Sequence, residues 1–205
     1  MRTKSGKRTF IEDARRQQIV QSAIETIAEL GYAKASLDRI AERAGLSSKG
    51  LISYHFAGKD ELIGEVVSTI FRSIGRFMHD RVNAQTTATG ALRAYIEGTI
   101  DYLDGNRHQM QALLEIFLGH AAGAGPMAGE KVATTPAFEH VERILVWGQE
   151  SGEFRDFDVR AMAVAVQKSL EALPVLLRAD PTLDLKMYAR EFATLFELAT
   201  KAERS

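Results

Sequence analysis

The sequence predicts an all-α protein in which a small N-terminal three-helix unit precedes a larger helical body. Three observations carry this. Apolar side chains recur every three or four residues along nearly the whole chain, the signature of amphipathic helices. The 4 prolines fall at Pro126, Pro136, Pro174 and Pro181, leaving the first 125 residues without one. No segment shows sustained alternation of apolar and polar residues with β-branched enrichment, so strand signals are weak.

The first helix places Val20, Ala23, Ile24, Ile27 and Leu30 on one stripe and stops at Gly31, a residue suited to the left-handed end of a helix. Ser36 is suited to cap a short second helix with Leu37, Ile40, Ala41 and Ala44 inward, ended by Gly45. Ser47 or Ser48 is placed to cap a third helix that carries Leu51, Ile52 and Phe56. A fourth starts near Lys59 and runs to about Arg81. Further helices are expected from Thr89 to Leu103, Asn106 to Leu118, Pro136 to Glu150, Val159 to Leu177 and Leu183 to Ala202, with a kink at Pro174. The glycine-rich stretch from Ala121 to Thr135 reads as a loop; it lacks the Gly-Lys-Ser/Thr ending of a phosphate loop. The domain boundary is expected at 58/59, with residues 1–10 as a flexible basic arm.

Composition narrows the function classes. The 205 residues have an ordinary apolar and charged content and no cysteine, so disulfides and thiolate metal sites are excluded. No apolar run approaches the roughly 18 residues of a membrane span, and no secretory h-region follows the basic start, so a cytoplasmic protein is expected. The net charge of −1 is uneven: residues 1–60 carry 11 basic and 7 acidic side chains, a local +4 on an otherwise acidic chain. A positive end suits a polyanion partner there.

The informative segment is 36–56, SLDRIAERAGLSSKGLISYHF. Two short helices across a tight turn at Gly45-Leu46 have the spacing of a helix-turn-helix, in which the first helix braces the second across the major groove. Small Ala41 and Ala44 permit close helix approach, while Leu46 and Ile52 plug the core. The outer face then comprises Ser48, Lys49, Gly50, Leu51, Ser53, Tyr54 and His55. Lys49 suits a phosphate or a guanine edge, Leu51 a thymine methyl, and Tyr54 and His55 the backbone phosphates. A plain helical hairpin in a helical core is the alternative.

The run from Arg15 to Leu62 resembles the TetR family of regulators. The resemblance rests on Gly31-Tyr32, Ser36-Leu37, Ile40-Ala41, Ala44-Gly45-Leu46-Ser47, Gly50, Tyr54-His55-Phe56, Lys59 and Leu62. Ser47-Ser48 looks like a one-residue insertion, which blurs the register of Lys49 and Leu51. The resemblance implies operator DNA bound by a homodimer, with Arg8, Ser36, Ser47, Ser48, Lys49, Gly50, Leu51, Ser53, Tyr54, His55 and Lys59 as DNA-facing residues and Lys59 as a phosphate contact. It also implies a helical ligand-binding and dimerisation domain whose small-molecule inducer changes the spacing of the reading heads. No cofactor or metal is expected.

Within that body, Tyr95, Thr99, Tyr102, Met110, Leu114, Phe117, Val141, Leu145 and Trp147 are candidate pocket residues, with Glu115, His120 and Gln149 as its polar groups. An unpaired Glu115 favours a cationic ligand; without it, a neutral apolar one is expected. Val166, Leu170, Leu173, Phe192 and Phe196 are the candidate dimer interface on the last two helices. An enzyme lacks support: the 5 histidines show no His-Glu-x-x-His spacing and no Gly-x-Ser-x-Gly elbow occurs. An activator of the same fold, or a protein-binding helical adaptor, are the remaining alternatives.

Overall fold

The computed structural model describes residues 4–121 and 130–202, with side-chain environments for 11–119 and 138–202. Among these residues there are nine helices: α1 (Lys4–Leu30), α2 (Leu37–Arg43), α3 (Gly50–His55), α4 (Lys59–Asn83), α5 (Ala88–Gly105), α6 (Arg107–Ala121), α7 (Glu130–Glu150), α8 (Val159–Ala179) and α9 (Leu185–Thr200). An isolated antiparallel bridge joins Phe154 to Lys201. No described helix is long and apolar enough to cross a membrane.

Two boundaries differ from the sequence reading. Helix α1 begins at Lys4, inside the segment expected to be a flexible arm. Helix α7 begins at Glu130, so the expected loop shrinks and Pro136 lies within a helix. Residues 122–129 of that loop lie outside the described residues.

The chain divides into two compact units, residues 1–70 with 108–126, and residues 71–107 with 127–205. The division falls inside α4 and not at its start, and α6 joins the N-terminal helices rather than the body. Two glycines account for the second point. A β-carbon on Gly119 would lie 2.5 Å from the Tyr32 ring, so only glycine lets α6 seat against that side chain. Gly31, at φ +79°, turns the chain after α1 and brings its Cα beside the Glu115 carboxylate.

The first unit is built on fully buried Ile19, Ala23, Ile27, Ile40, Leu62 and Val66, closed by Ile52 and Phe56 from α3. The second is organised around α5, which packs on α7, α8 and α9. It buries Leu92, Ile96 and Ile100 with Val141, Leu145, Ala163 and Val166. Helix α8 continues through Pro174 to Ala179.

The start of α5 is held from far along the chain. Thr87 caps it by accepting from the Gly90 N–H. Glu153 accepts from the Ala88 N–H at 2.9 Å and from the Thr89 N–H at 3.0 Å. Burial alone would raise this carboxyl's pKa, but the Thr89 and Ala88 amides, with the Thr89 and Ser151 hydroxyls, outweigh it and hold it below the usual carboxylate value. Its contribution is therefore present at neutral pH and is lost as pH falls through the depressed value. Glu153→Ala is expected to cost about 1–3 kcal/mol at pH 7, because Ala88 is left with a buried unsatisfied amide. Urea titrations should show this gap closing only as the pH falls below the ordinary carboxylate value and through the depressed one, where the wild-type carboxyl also loses its charge.

Candidate functional site

Ser36 caps α2, its hydroxyl accepting from the Arg39 N–H at 3.3 Å. The helix ends as the sequence requires. Gly45 sits at φ +63°, its N–H bonds the Glu42 carbonyl at 3.0 Å, and the Leu46 N–H bonds Ala41 at 2.9 Å. This is a Schellman closure, and it fixes the direction in which the chain leaves for α3. Gln18 of α1 donates to the Ala44 carbonyl at 2.8 Å, tying the turn to the first helix.

Helix α3 is capped differently from expectation. Lys49 is the N-cap residue, and no side chain bonds the free amides. Ser47 and Ser48 are exposed, and Ser48 serves through its carbonyl, which accepts from Leu51. This arrangement resolves the register left open by the extra serine. Lys49, Gly50, Leu51, Ser53 and Tyr54 are exposed, whereas Ile52 and Phe56 are buried. Leu51 and Tyr54, at 44% and 73% exposure, are large apolar groups held in water on the outer face of α3. His55 is half-buried and meets Tyr54 edge-on at 5.1 Å. Lys49 pairs with Asp38 of α2 at 3.0 Å, but both side chains are mostly exposed. Such pairs contribute little, so the Lys49 ammonium is only weakly held.

The sequence reading did not find the group that fixes α3. Arg16 of α1 donates to the His55 carbonyl, stacks its guanidinium 4.1 Å from the Phe56 ring centre, and pairs with Glu61 and Glu65 of α4. One side chain thereby ties α1, the end of α3 and α4 together. Its signal in the sequence was only an arginine on the helix, since its partners lie 39 to 49 residues away.

Lys59 is placed otherwise than a free phosphate contact. Its ammonium donates to the Tyr32 carbonyl at 3.1 Å and lies 4.5 Å from the Tyr32 ring centre, half-buried. Burial lowers its pKa from the usual lysine value, partly offset by Asp60. Arg8 lies on α1 with its side chain outside the described residues.

The expected ligand pocket is redistributed. Tyr95, Thr99, Tyr102, Val141, Leu145 and Trp147 belong to the second unit, and Met110, Leu114, Glu115 and Phe117 to the first. Tyr95, Tyr102, Val141 and Leu145 are buried core residues, while Thr99, Met110, Leu114 and Phe117 are half-buried. Trp147 is exposed, on an open outer face of α7 with Glu139, Arg143 and Glu150. Glu115 accepts from Gln111 at 3.0 Å beside Gly31, so the argument for a cationic ligand falls. Gln149 is spent on the Phe157 and Arg155 carbonyls. The side chain of His120 lies outside the described residues.

The expected dimer residues are also corrected. Val166, Leu170, Leu173 and Phe196 are at most 5% exposed within the single chain, and Phe192 is half-buried. They face the chain's own core, because α8 and α9 both pack on α5. The apolar groups left outside are Val164, Val175 and Leu176 on α8, and Met187, Leu195 and Leu198 on α9.

Residues 19–66 match the family profile described as bacterial regulatory proteins, tetR family. The chain is 34% identical over 108 residues to the HTH-type transcriptional regulator BetI 1 of Chromohalobacter salexigens, covering 52% of this chain and 53% of that protein. It is 34% identical over 108 residues to BetI of Stenotrophomonas maltophilia, covering 52% and 55%. The chain thus spans about half the length of these curated relatives. Over the longer range, its fold is similar to that of the transcriptional regulator FadR from Bacillus subtilis, solved with stearoyl-CoA, with a TM-score of 0.76 at 22% identity over 88% of this chain and 96% of that one. The Schellman turn, the outward α3 face and the match over 19–66 agree: residues 19–66 carry the helix-turn-helix of the tetR family of bacterial regulatory proteins.

Proposed function

We propose that the protein is a cytoplasmic transcriptional repressor that binds a near-palindromic operator as a homodimer and is released by a small-molecule effector. The observation that carries this reading is the exposed face of α3. Lys49, Leu51, Ser53 and Tyr54 project from a helix whose other side is locked by Ile52, Phe56 and Arg16. A rigid helix with a basic and hydroxyl-bearing outer edge is what a major-groove reader needs. The second copy is supported by the two apolar stripes that α8 and α9 leave in water. Two reading heads related by a two-fold axis require half-sites about 34–36 Å apart, or a multiple. An effector releases DNA only if it binds the free form better, and by reciprocity operator DNA lowers effector affinity by the same factor.

Selection of bound duplexes from random sequence, followed by footprinting, tests the operator. A paired, inverted target supports the reading, and a preferred single half-site overturns the dimeric part. Two variants test the face. Lys49→Ala should cost about 1–3 kcal/mol at one base position if it reads a guanine. Lys59→Ala should weaken every duplex alike without lowering the salt slope by a whole ion, because its ammonium is held by Tyr32 and its loss loosens the start of α4. It should also lower the melting temperature, because it removes the bond to Tyr32. Equal losses on all sequences for both variants would make Lys49 a phosphate contact only.

A further inference from the structure

Among the described residues, one buried side-chain polar atom has no hydrogen-bond partner, Nε2 of His140. It lies on α7, in the second unit. Tyr95 of α5 stacks on the imidazole, ring centres 5.6 Å apart. The Tyr95 hydroxyl donates to Gln167 of α8 at 2.8 Å, and Gln167 donates to Glu171 at 3.1 Å. Tyr95 and Gln167 are at most 9% exposed, and Phe138 and Val141 beside His140 in sequence are buried too. This is a polar seam in an otherwise apolar interior, and every member but one is satisfied.

The neighbours decide what the orphan atom is. Arg143 Nη2 lies 3.1 Å from His140 Nδ1. A guanidinium only donates, so Nδ1 offers its lone pair and the ring proton sits on Nε2. Burial first, then the charges of Arg143 and His79, lower the imidazole's pKa from its usual value, which keeps it neutral. His140 Nε2–H is therefore a buried donor without an acceptor. Such a group is destabilising, and folded proteins satisfy nearly all of them.

We propose that His140 Nε2–H anchors the effector by donating to an oxygen acceptor, a carbonyl or carboxylate, on a largely apolar molecule bound among α5, α7 and α8. The inference rests on the effector-responsive reading above and names the ligand chemistry it requires. Hydrogen-bond donation selects acceptors and rejects ammonium ligands, which have only donors to offer. Tyr95 does not compete for that oxygen, because its proton is committed to Gln167.

The test uses the full chain and three probes of one chain length: 2-octanone, octanoate and octylammonium. Calorimetry is expected to show the two acceptors binding and octylammonium failing. Their relative affinities separate a neutral carbonyl from a carboxylate as the preferred form. In His140→Phe, which keeps a ring against Tyr95, acceptor affinity should fall about tenfold or more, as loss of one buried hydrogen bond implies. The same variant should melt at a higher temperature without ligand, because the orphan donor is gone. A merely structural histidine would give the opposite shift. Equal affinity in wild type and variant, binding of octylammonium alone, or no binding of any probe overturns the anchor. So does imidazole nitrogen NMR that finds the proton on Nδ1. If the acceptors bind through His140 and operator affinity stays unchanged, the anchor stands and the effector reading falls.

Discussion

Leu195→Asp or Leu198→Asp is expected to give a folded monomer whose operator affinity is lower by about 10²–10⁴-fold, the effective-concentration advantage that linking two half-site contacts supplies. The reason is where these side chains lie. Leu195 and Leu198 are 55% and 69% exposed, on the side of α9 turned away from α5. Met187 shares that stripe, and Val164, Val175 and Leu176 form its counterpart on α8. Exposed apolar stripes on two long helices are costly unless covered, and a permanent interface of this kind typically buries about 2,000 Å² or more. A charge placed there is tolerated by the monomer but not by the pair, since a buried unpaired carboxylate is strongly unfavourable. Light scattering at micromolar concentration reads the oligomer, and gel shift on the selected operator reads affinity. Leu170→Asp is the contrasting control. At 4% exposure it lies in the chain's own core and should unfold the protein rather than split it. A wild type that is monomeric at micromolar concentration would remove the dimer.

Gly148→Ala is expected to be among the most destabilising single-methyl changes in the second unit, about 3 kcal/mol. That loss corresponds to roughly 6–12 °C in melting temperature for a chain of this size. An added β-carbon would fall within the Phe154 ring, closer than real side-chain carbons approach one another. The ring has little room to retreat. Phe154 is 5% exposed, its N–H is bonded to the Gly148 carbonyl at 2.9 Å, and it packs near Phe157. Phe154→Leu should recover part of the loss in the double variant, because a shorter side chain yields space. Circular dichroism melts of the three variants measure it. A change below about 1 °C for Gly148→Ala would show that the ring is not held there.

The helix-turn-helix was legible because its rules are local. A serine cap, a left-handed glycine and two small alanines fall within ten residues, and each has one physical role. The orientation of α3 followed once Ile52 and Phe56 were placed inward. The missed features all depend on distant partners: Arg16 on the His55 carbonyl, Glu153 on the start of α5, Gly119 on Tyr32. Only Gly119 left a local trace, a glycine inside a helix with no turn to make. The dimer stripe was misassigned for a general reason. The strongest apolar stripe on an amphipathic helix marks its own core, and the surface proposed for a second copy has to be sought in the weaker, outward set, which on α8 is Val164, Val175 and Leu176. Gln167, in the inward stripe between Val166 and Leu170, was the overlooked sign of the polar seam.

The locking of α3 by Arg16 from behind has an evolutionary consequence. The residues that hold the helix, Ile52, Phe56 and the His55 backbone, are distinct from those that meet solvent, Lys49, Leu51, Ser53 and Tyr54. Substitutions on the outer set leave the inner set's packing intact, and isolated surface changes typically shift stability by no more than about 0.5 kcal/mol. On the operator-binding function proposed above, sequence preference can therefore be rewritten by exchange of those four side chains without passing through unfolded intermediates. A duplicated copy of this gene could acquire a new target by changing what it reads while keeping how it stands.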